Sequence, residues 1–271
     1  MKNLLGFTLI EFMLAMTLGL SLLITASSLL AKSIQGAHLQ RGLAEIHETS
    51  EFLEQFIRHE FYMAGFQGEN QVGIDPIAWE TIIWNENEQI NETVTTTSDG
   101  NKYDKVAIRR IATANDYDCS GSLLETGQSY VSIFYVKKDE RSQPVFYCDR
   151  IINEKAISAV GLVDNVDRFQ VQYEVEYQEN GVLKTEFKTK TEINKITIAK
   201  KIISVKLGLL FSDTGDPSLP LQDQSWEVLD KTYDTTTKQD AELKNGHFHR
   251  VIEWVIPFKN ISRQRALPGS L

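Results

Sequence analysis

Glu11 is the first residue whose chemistry asks for a reason. From Phe7 to Ala31 it is the only ionisable side chain in an apolar run. A carboxylate at membrane depth costs about 2.5–3.5 kcal/mol even on the insertion scale, so it needs a partner or a function. Cys119 and Cys148 could form a disulfide or contribute to a metal site. His247-Phe248-His249 would place both imidazoles on one strand face. Without a third histidine or a nearby carboxylate, a metal site there is poorly supported and the pair reads as a surface feature. Asp213-Thr214-Gly215-Asp216 lacks the further spaced oxygens of a calcium loop and reads as a turn. Lys184, Lys188, Lys190, Lys195, Lys200 and Lys201 form a basic stretch that could meet DNA phosphates. Lysines alternating on an exposed hairpin also guard a sheet edge, and that is the plainer reading. The sequence holds no phosphate-cradling glycine loop, no His-Glu-x-x-His and no glycine-flanked serine elbow, so it gives an enzyme, or a cofactor, nothing to rest on.

The element that carries Glu11 is long. The apolar run from Phe7 to Ala31 exceeds the roughly 20 residues a membrane-spanning helix needs. Beyond it, Leu39, Leu43, Ile46, Leu53, Ile57, Phe61 and Ala64 recur at steps of three and four, while Arg41, Glu45, Glu48, Glu51, Glu54 and Arg58 take the other faces. No proline interrupts the span. One continuous helix from Phe7 to Ala64 would be on the order of 85–90 Å long, and Gly65 and Gly68 are placed to end it. The apolar stripe should then pack on a globular head.

Lys2 before the apolar run, with no basic excess just after it, leaves the N-terminus cytoplasmic and exports the rest. In an oxidising periplasm the two cysteines read by default as one disulfide. The formal net charge of −9 argues against nucleic-acid binding by the whole surface, though a local patch stays open.

The stretch from Glu69 to Asn101 is polar and turn-rich and reads as a loop lying on the head, pinned by Trp79 and Trp84, with Thr93 to Ser98 exposed or edge-like. The tryptophans could line a sugar surface, but as loop anchors they need no ligand. Strand signals follow at Val106–Ile108, Tyr130–Val136 and Val145–Tyr147. Phe169, Val171, Tyr173, Val175 and Tyr177 alternate with polar residues up to the turn Asn180-Gly181, and a return run passes through Leu183, Phe187 and Ile193: a β-hairpin. Ile202–Phe211 and Arg250–Phe258 read as later strands. The expectation is an α+β protein, a long N-terminal helix packed on an antiparallel β-sheet head.

Gly6-Phe7-Thr8-Leu9-Ile10-Glu11 behind Lys2 resembles the class III leader of type IV pilins and of type II secretion pseudopilins. The resemblance implies a leader over 1–6, cut after Gly6 by a prepilin peptidase with methylation of Phe7. It also implies a transmembrane and filament-core helix over 7–31 that contacts lipid, its amphipathic half over 32–65, and a periplasmic or extracellular head over 66–271. Glu11 would pair with the terminal amine of an adjacent subunit and set register. More specifically, Arg58 with Met63-Ala64-Gly65-Phe66-Gln67-Gly68, Asp118-Cys119-Ser120-Gly121, Phe146-Tyr147-Cys148, the run Val160 to Tyr173, Val205 to Leu210, and His249-Arg250-Val251 with Phe258-Lys259-Asn260 resemble the PilW family of minor pilins. Departures are His249 and Lys259, where arginines are usual, and a longer segment from Lys184 to Lys201. The family implies processing in the inner membrane and entry into a type IV pilus with other minor pilins, the major pilin and the assembly platform, in support of motility, adhesion or natural transformation. A type II pseudopilin shares the leader and helix; a DNA-binding or adhesive tip module is the reading of another class.

Overall fold

The computed structural model describes residues 9–67, 74–85, 88–93, 95, 103–198, 200–215 and 223–261. Gly6, Phe7 and Gly68 lie outside them. Helix α1 runs unbroken from Leu9 to Met63, 55 residues, or about 80 Å at 1.5 Å per residue. It ends as its sequence dictates: Gly65 adopts φ +79° and a Cβ there would stand 2.9 Å from the Ile74 carbonyl oxygen. The chain then joins the head at once, with Gly65 N–H donating to the Arg109 carbonyl at 2.8 Å.

The head contains two four-stranded antiparallel sheets. One has the order β3 (Lys105–Ile111), β4 (Ser129–Lys138), β5 (Pro144–Ile152), β6 (Lys155–Asp164). The other has the order β12 (His249–Pro257), β9 (Lys200–Ser212), β7 (Val166–Glu179), β8 (Val182–Lys188). Two further hairpins pair β1 (Glu80–Asn85) with β2 (Glu88–Thr93) and β10 (Ser225–Val228) with β11 (Lys231–Asp234). The short helix α2 spans Lys190–Asn194, and a 3-10 turn Ala241–Leu243. The long run from Val160 to Tyr173 is divided at Asn165, whose φ of 60° turns the chain from the first sheet into the second.

Period-two alternation decides which face of each strand is buried. Val106 and Ile108, Phe134 and Val136, Phe146 and Cys148 point to the same core as Phe169, Val171, Tyr173, Leu207, Leu209, Trp254 and Ile256. Ile46, Leu53, Ile57, Phe61 and Ala64 of the helix and its end complete that core. Phe61 stacks on both Phe134 and Phe258, at centroid distances of 5.8 and 6.0 Å, and such aromatic pairs add about 0.5–1.5 kcal/mol each beyond their buried area.

Several expectations change. The Glu69–Asn101 stretch is not a plain loop, because β1 and β2 form a hairpin within it. Trp79 does act as an anchor, 5.1 Å from the Tyr173 ring, whereas the Trp84 side chain lies outside what the structure describes. Thr95 is buried rather than exposed: its hydroxyl donates to the Ala78 carbonyl at 2.6 Å and accepts from Ala107 N–H at 3.0 Å. The β7–β8 hairpin turns at Asn180-Gly181, both with positive φ. Its return strand stops at Lys188, and Ile193 belongs instead to α2. The reason is local. Thr189 and Glu192 make a reciprocal capping box that starts a helix there and drives Ile193 into the core.

Candidate assembly surface

The helix has two environments. Described residues from Leu9 to Arg41 are all exposed, and Gly42 is the first buried one. The helix therefore meets the head at Gly42; Leu39 is still 38% exposed. Leu9, Ile10, Phe12, Met13, Leu14, Leu18, Leu22 and Leu23 cover the free half with apolar surface. Its hydroxyls between Leu9 and Ala31 are internally satisfied. Thr17, Ser21, Thr25, Ser27 and Ser28 each donate to a carbonyl three residues back along the helix. From Leu9 to Ala31 these hydroxyls therefore turn no unmet donor to lipid or to neighbouring helices. The helix is long and apolar enough to cross a membrane. Glu11 lies in its first turn, exposed in the single chain.

Where the helix meets the head, close approach replaces side chains. A Cβ on Gly42 would fall 2.8 Å from an Asp213 carboxylate oxygen, so this glycine is a seat for the Asp213 turn rather than merely a weak helix former. One turn on, Glu45 accepts from the Thr214 hydroxyl. Asp213–Gly215 is thus a docking turn, in keeping with the turn reading over the calcium one. Near the other end Arg58 pairs with Glu54 at 2.6 Å and reaches the Val255 carbonyl. Asn260 caps the helix, its amide donating to the Tyr62 and Ala64 carbonyls at 2.8 and 3.2 Å, groups that a helix end otherwise leaves unmet.

Beneath this surface lies a buried polar staple. Arg110 donates to Asp116 from Nε and Nη2, each at 3.1 Å, to Glu60 at 2.8 and 3.4 Å, and to the Tyr117 carbonyl at 2.9 Å. Its guanidinium also stands 4.5 Å from the Tyr130 ring centroid. Burial works to strip Arg110 of its proton, but Glu60 and Asp116 outweigh it and hold the charge more firmly than usual. Helix, first sheet and the Asp116–Leu124 loop thereby share one cation. Sequence reading passed over it, though two signals existed: Glu60 sits three residues after Ile57 on the apolar stripe, and Arg110 shares the strand parity of Val106 and Ile108.

That loop is closed by a second lock. Cys119 and Cys148 form a disulfide across 29 residues of sequence. Beside it Asp118 accepts from the backbone of Ser120 and Ser122 and from Arg150 at 2.8, 2.9 and 2.7 Å. Burial pushes the Asp118 carboxyl up, but these hydrogen bonds together overcome it and hold the group below its ordinary range. The loop edge presents Tyr117 and Leu123, 53% and 63% exposed.

The six lysines do not gather into a cradle. Lys184 pairs with Glu179 and Lys188 with Glu186. Lys190 donates to the Thr95 carbonyl, and Lys200 to those of Ile193 and Ile196. Lys195 is exposed and Lys201 half-buried. Lys184 and Lys188 ride on β8, an edge strand of its sheet, the place where lysines deter strand pairing. Neither histidine of the 247–249 pair is a bare surface group: His247 contacts Asp213 at 3.0 Å and His249 is buried against Trp226. The reason is that β12 starts inside the packed junction, under the β10–β11 hairpin. Among the described residues no group of His, Cys, Asp or Glu could hold a metal ion.

Residues 133–260 match the family model described as Type IV Pilus-assembly protein W. This stretch of the chain is similar to the PilW family. The matched region runs from within β4 through β12 to the Asn260 cap, so it contains most of β4, all of β5, β7 and β9, and the half-cystine Cys148. A solved type IV-like pilin from Thermus thermophilus is also similar, at 15% identity and a TM-score of 0.37, covering 80% of this chain and 98% of that one. No curated protein matches. The match to the PilW family model and the exposed apolar helix agree with a membrane anchor and with pilus association.

Proposed function

We propose that this chain is a minor pilin of the PilW family, a structural subunit rather than an enzyme. It is cut after Gly6, methylated at Phe7, held in the inner membrane with its head in the periplasm, and assembled with other minor pilins and the major pilin into the priming complex or tip of a type IV pilus. There it supports motility, adhesion or DNA uptake. The observation that carries this reading is the division of α1: everything described before Gly42 is exposed, with an almost wholly apolar surface from Leu9 to Ala31, and from Gly42 on one face of the helix is buried against the head. A soluble domain would not keep such a rod bare, since contiguous apolar surface of that extent marks an interaction site.

Glu11 gives the reading its mechanism. Its carboxylate neutralises the terminal amine of a neighbouring subunit, two charges each costly in lipid when alone. Changing Glu11 to Ala should leave membrane insertion intact or improved, while lowering the amount of protein in sheared pili several-fold. Blotting of membrane and filament fractions from the same cells measures both, and equal entry of the variant into filaments would refute the pairing.

A further inference from the structure

Glu11 and Lys32 stand about 31 Å apart along the axis of α1, an unbroken helix rising 1.5 Å per residue. Between them, from Phe12 to Ala31, no side chain is ionisable. The hydrocarbon core of a bilayer is about 30 Å thick, and a common helix tilt of about 20° brings the two charges to nearly that separation across it. Both can therefore sit at the membrane faces at once. Neither has to enter hydrocarbon.

Beyond Lys32 the helix changes character before it reaches the head. Lys32, Ser33, Gln35, His38, Gln40 and Arg41 make the stretch 32–41 polar, and all of it is exposed, whereas burial against the head starts at Gly42. This neck is about 15 Å long. Headgroups add only roughly 5–8 Å on each side of the hydrocarbon, so the neck outreaches them.

We infer that Glu11 and Lys32 are a pair of interfacial stops that fix the depth of α1, Glu11 at the cytoplasmic face and Lys32 against lipid phosphates at the periplasmic face. The neck then holds the head clear of the headgroups. Such stops presuppose the membrane-anchored subunit proposed above, to which they add a depth, a lipid contact and a clearance. Each charge opposes one direction of movement. Sinking the helix toward the cytoplasm drags Lys32 below the phosphates that its ammonium donates to, and raising it drags Glu11 out of water into hydrocarbon. The midplane falls between Ser21 and Leu22, and the hydroxyls nearest to it, those of Thr17, Ser21 and Thr25, are the ones that donate back along the helix. Entry into a filament carries Glu11 off its face, and the amine of a neighbouring subunit is the partner that the displaced carboxylate then requires.

The test is a depth profile of the full chain in mixed phosphatidylcholine and phosphatidylglycerol vesicles, with the Cys119–Cys148 disulfide closed. Single nitroxide-labelled cysteines replace Phe12, Leu20, Leu23, Ala31 and His38 in turn, and collision rates with oxygen and with a nickel chelate report the depth of each. Leu20 and Leu23 should be deepest and equally so, Phe12 and Ala31 should mark the two boundaries, and His38 should lie in water. A label at Phe12 as deep as that at Leu23 overturns the stops and leaves the anchor standing. Water exposure at every site overturns the anchor and the stops with it. Lys32→Leu supplies the second arm. Without its upper stop the helix should sink, moving the label at His38 about 5 Å, one helical turn, toward the headgroups. An unchanged profile in that variant would show that Lys32 does not set the depth.

Discussion

Replacing Arg110 with Ala should destabilise the head by about 3–5 kcal/mol, the largest effect expected of any single substitution outside the aromatic core. The guanidinium is 1% exposed and its two carboxylate partners 3% and 5%, so removing it strands two buried negative charges. The cost comes from those uncompensated groups more than from the pair's own attraction. Two consequences separate this account from a simple packing loss. Adding Glu60→Gln and Asp116→Asn to an Arg110→Met chain should recover much of the loss, because neutral amides need no counter-ion. The same triple variant should keep the helix on the head, read by protection of Ile57 and Phe61 amides from hydrogen exchange. A loss below 1 kcal/mol in denaturant titration of Arg110→Ala would show that the staple does not hold the structure together.

Opening the disulfide is the second large effect. Cys119→Ala or Cys148→Ala frees a loop of sequence separation 29, worth roughly 3–4 kcal/mol on the chain-entropy account. In a domain of this size that lowers the melting temperature by about 10 °C. The first damage should be local, since Cys119 N–H donates to the Tyr130 hydroxyl and its neighbour Asp118 holds Arg150. Tyr117 and Leu123 would then lose their fixed presentation. Limited proteolysis between residues 113 and 124 should accelerate in the alanine variants and in reduced wild type alike; unchanged cleavage would argue that Asp118 and Arg110 alone fix the loop.

How much of this could be read beforehand depended on the range of the interaction. The helix, its end at Gly65 and the Asn180-Gly181 hairpin are written in local periodicity and turn chemistry, and they stand where those signals lie. Strand order is not local: nothing in the run Val160 to Tyr173 announces that Asn165 carries the chain between sheets. Buried polar partners were missed for a related reason. Glu60, Arg110 and Asp116 are each ordinary surface residues by type, and only their coincidence in the fold makes them a unit. His249 read as exposed because the β10–β11 hairpin that covers it contributes no pattern of its own. Gly42 is by type a weak helix former, and the Asp213 turn seated on it supplies its reason.

The central claim is that the exposed half of α1 is retained and enters a filament as a processed N-terminus. Mass spectrometry of the N-terminal peptide, from sheared surface filaments and from membranes of the same cells, tests it most directly. The account predicts a peptide beginning at methylated Phe7 in the filament fraction. Filaments without the protein, with membranes holding only a chain that retains Met1 to Gly6, would contradict it and leave α1 as the anchor of a periplasmic domain.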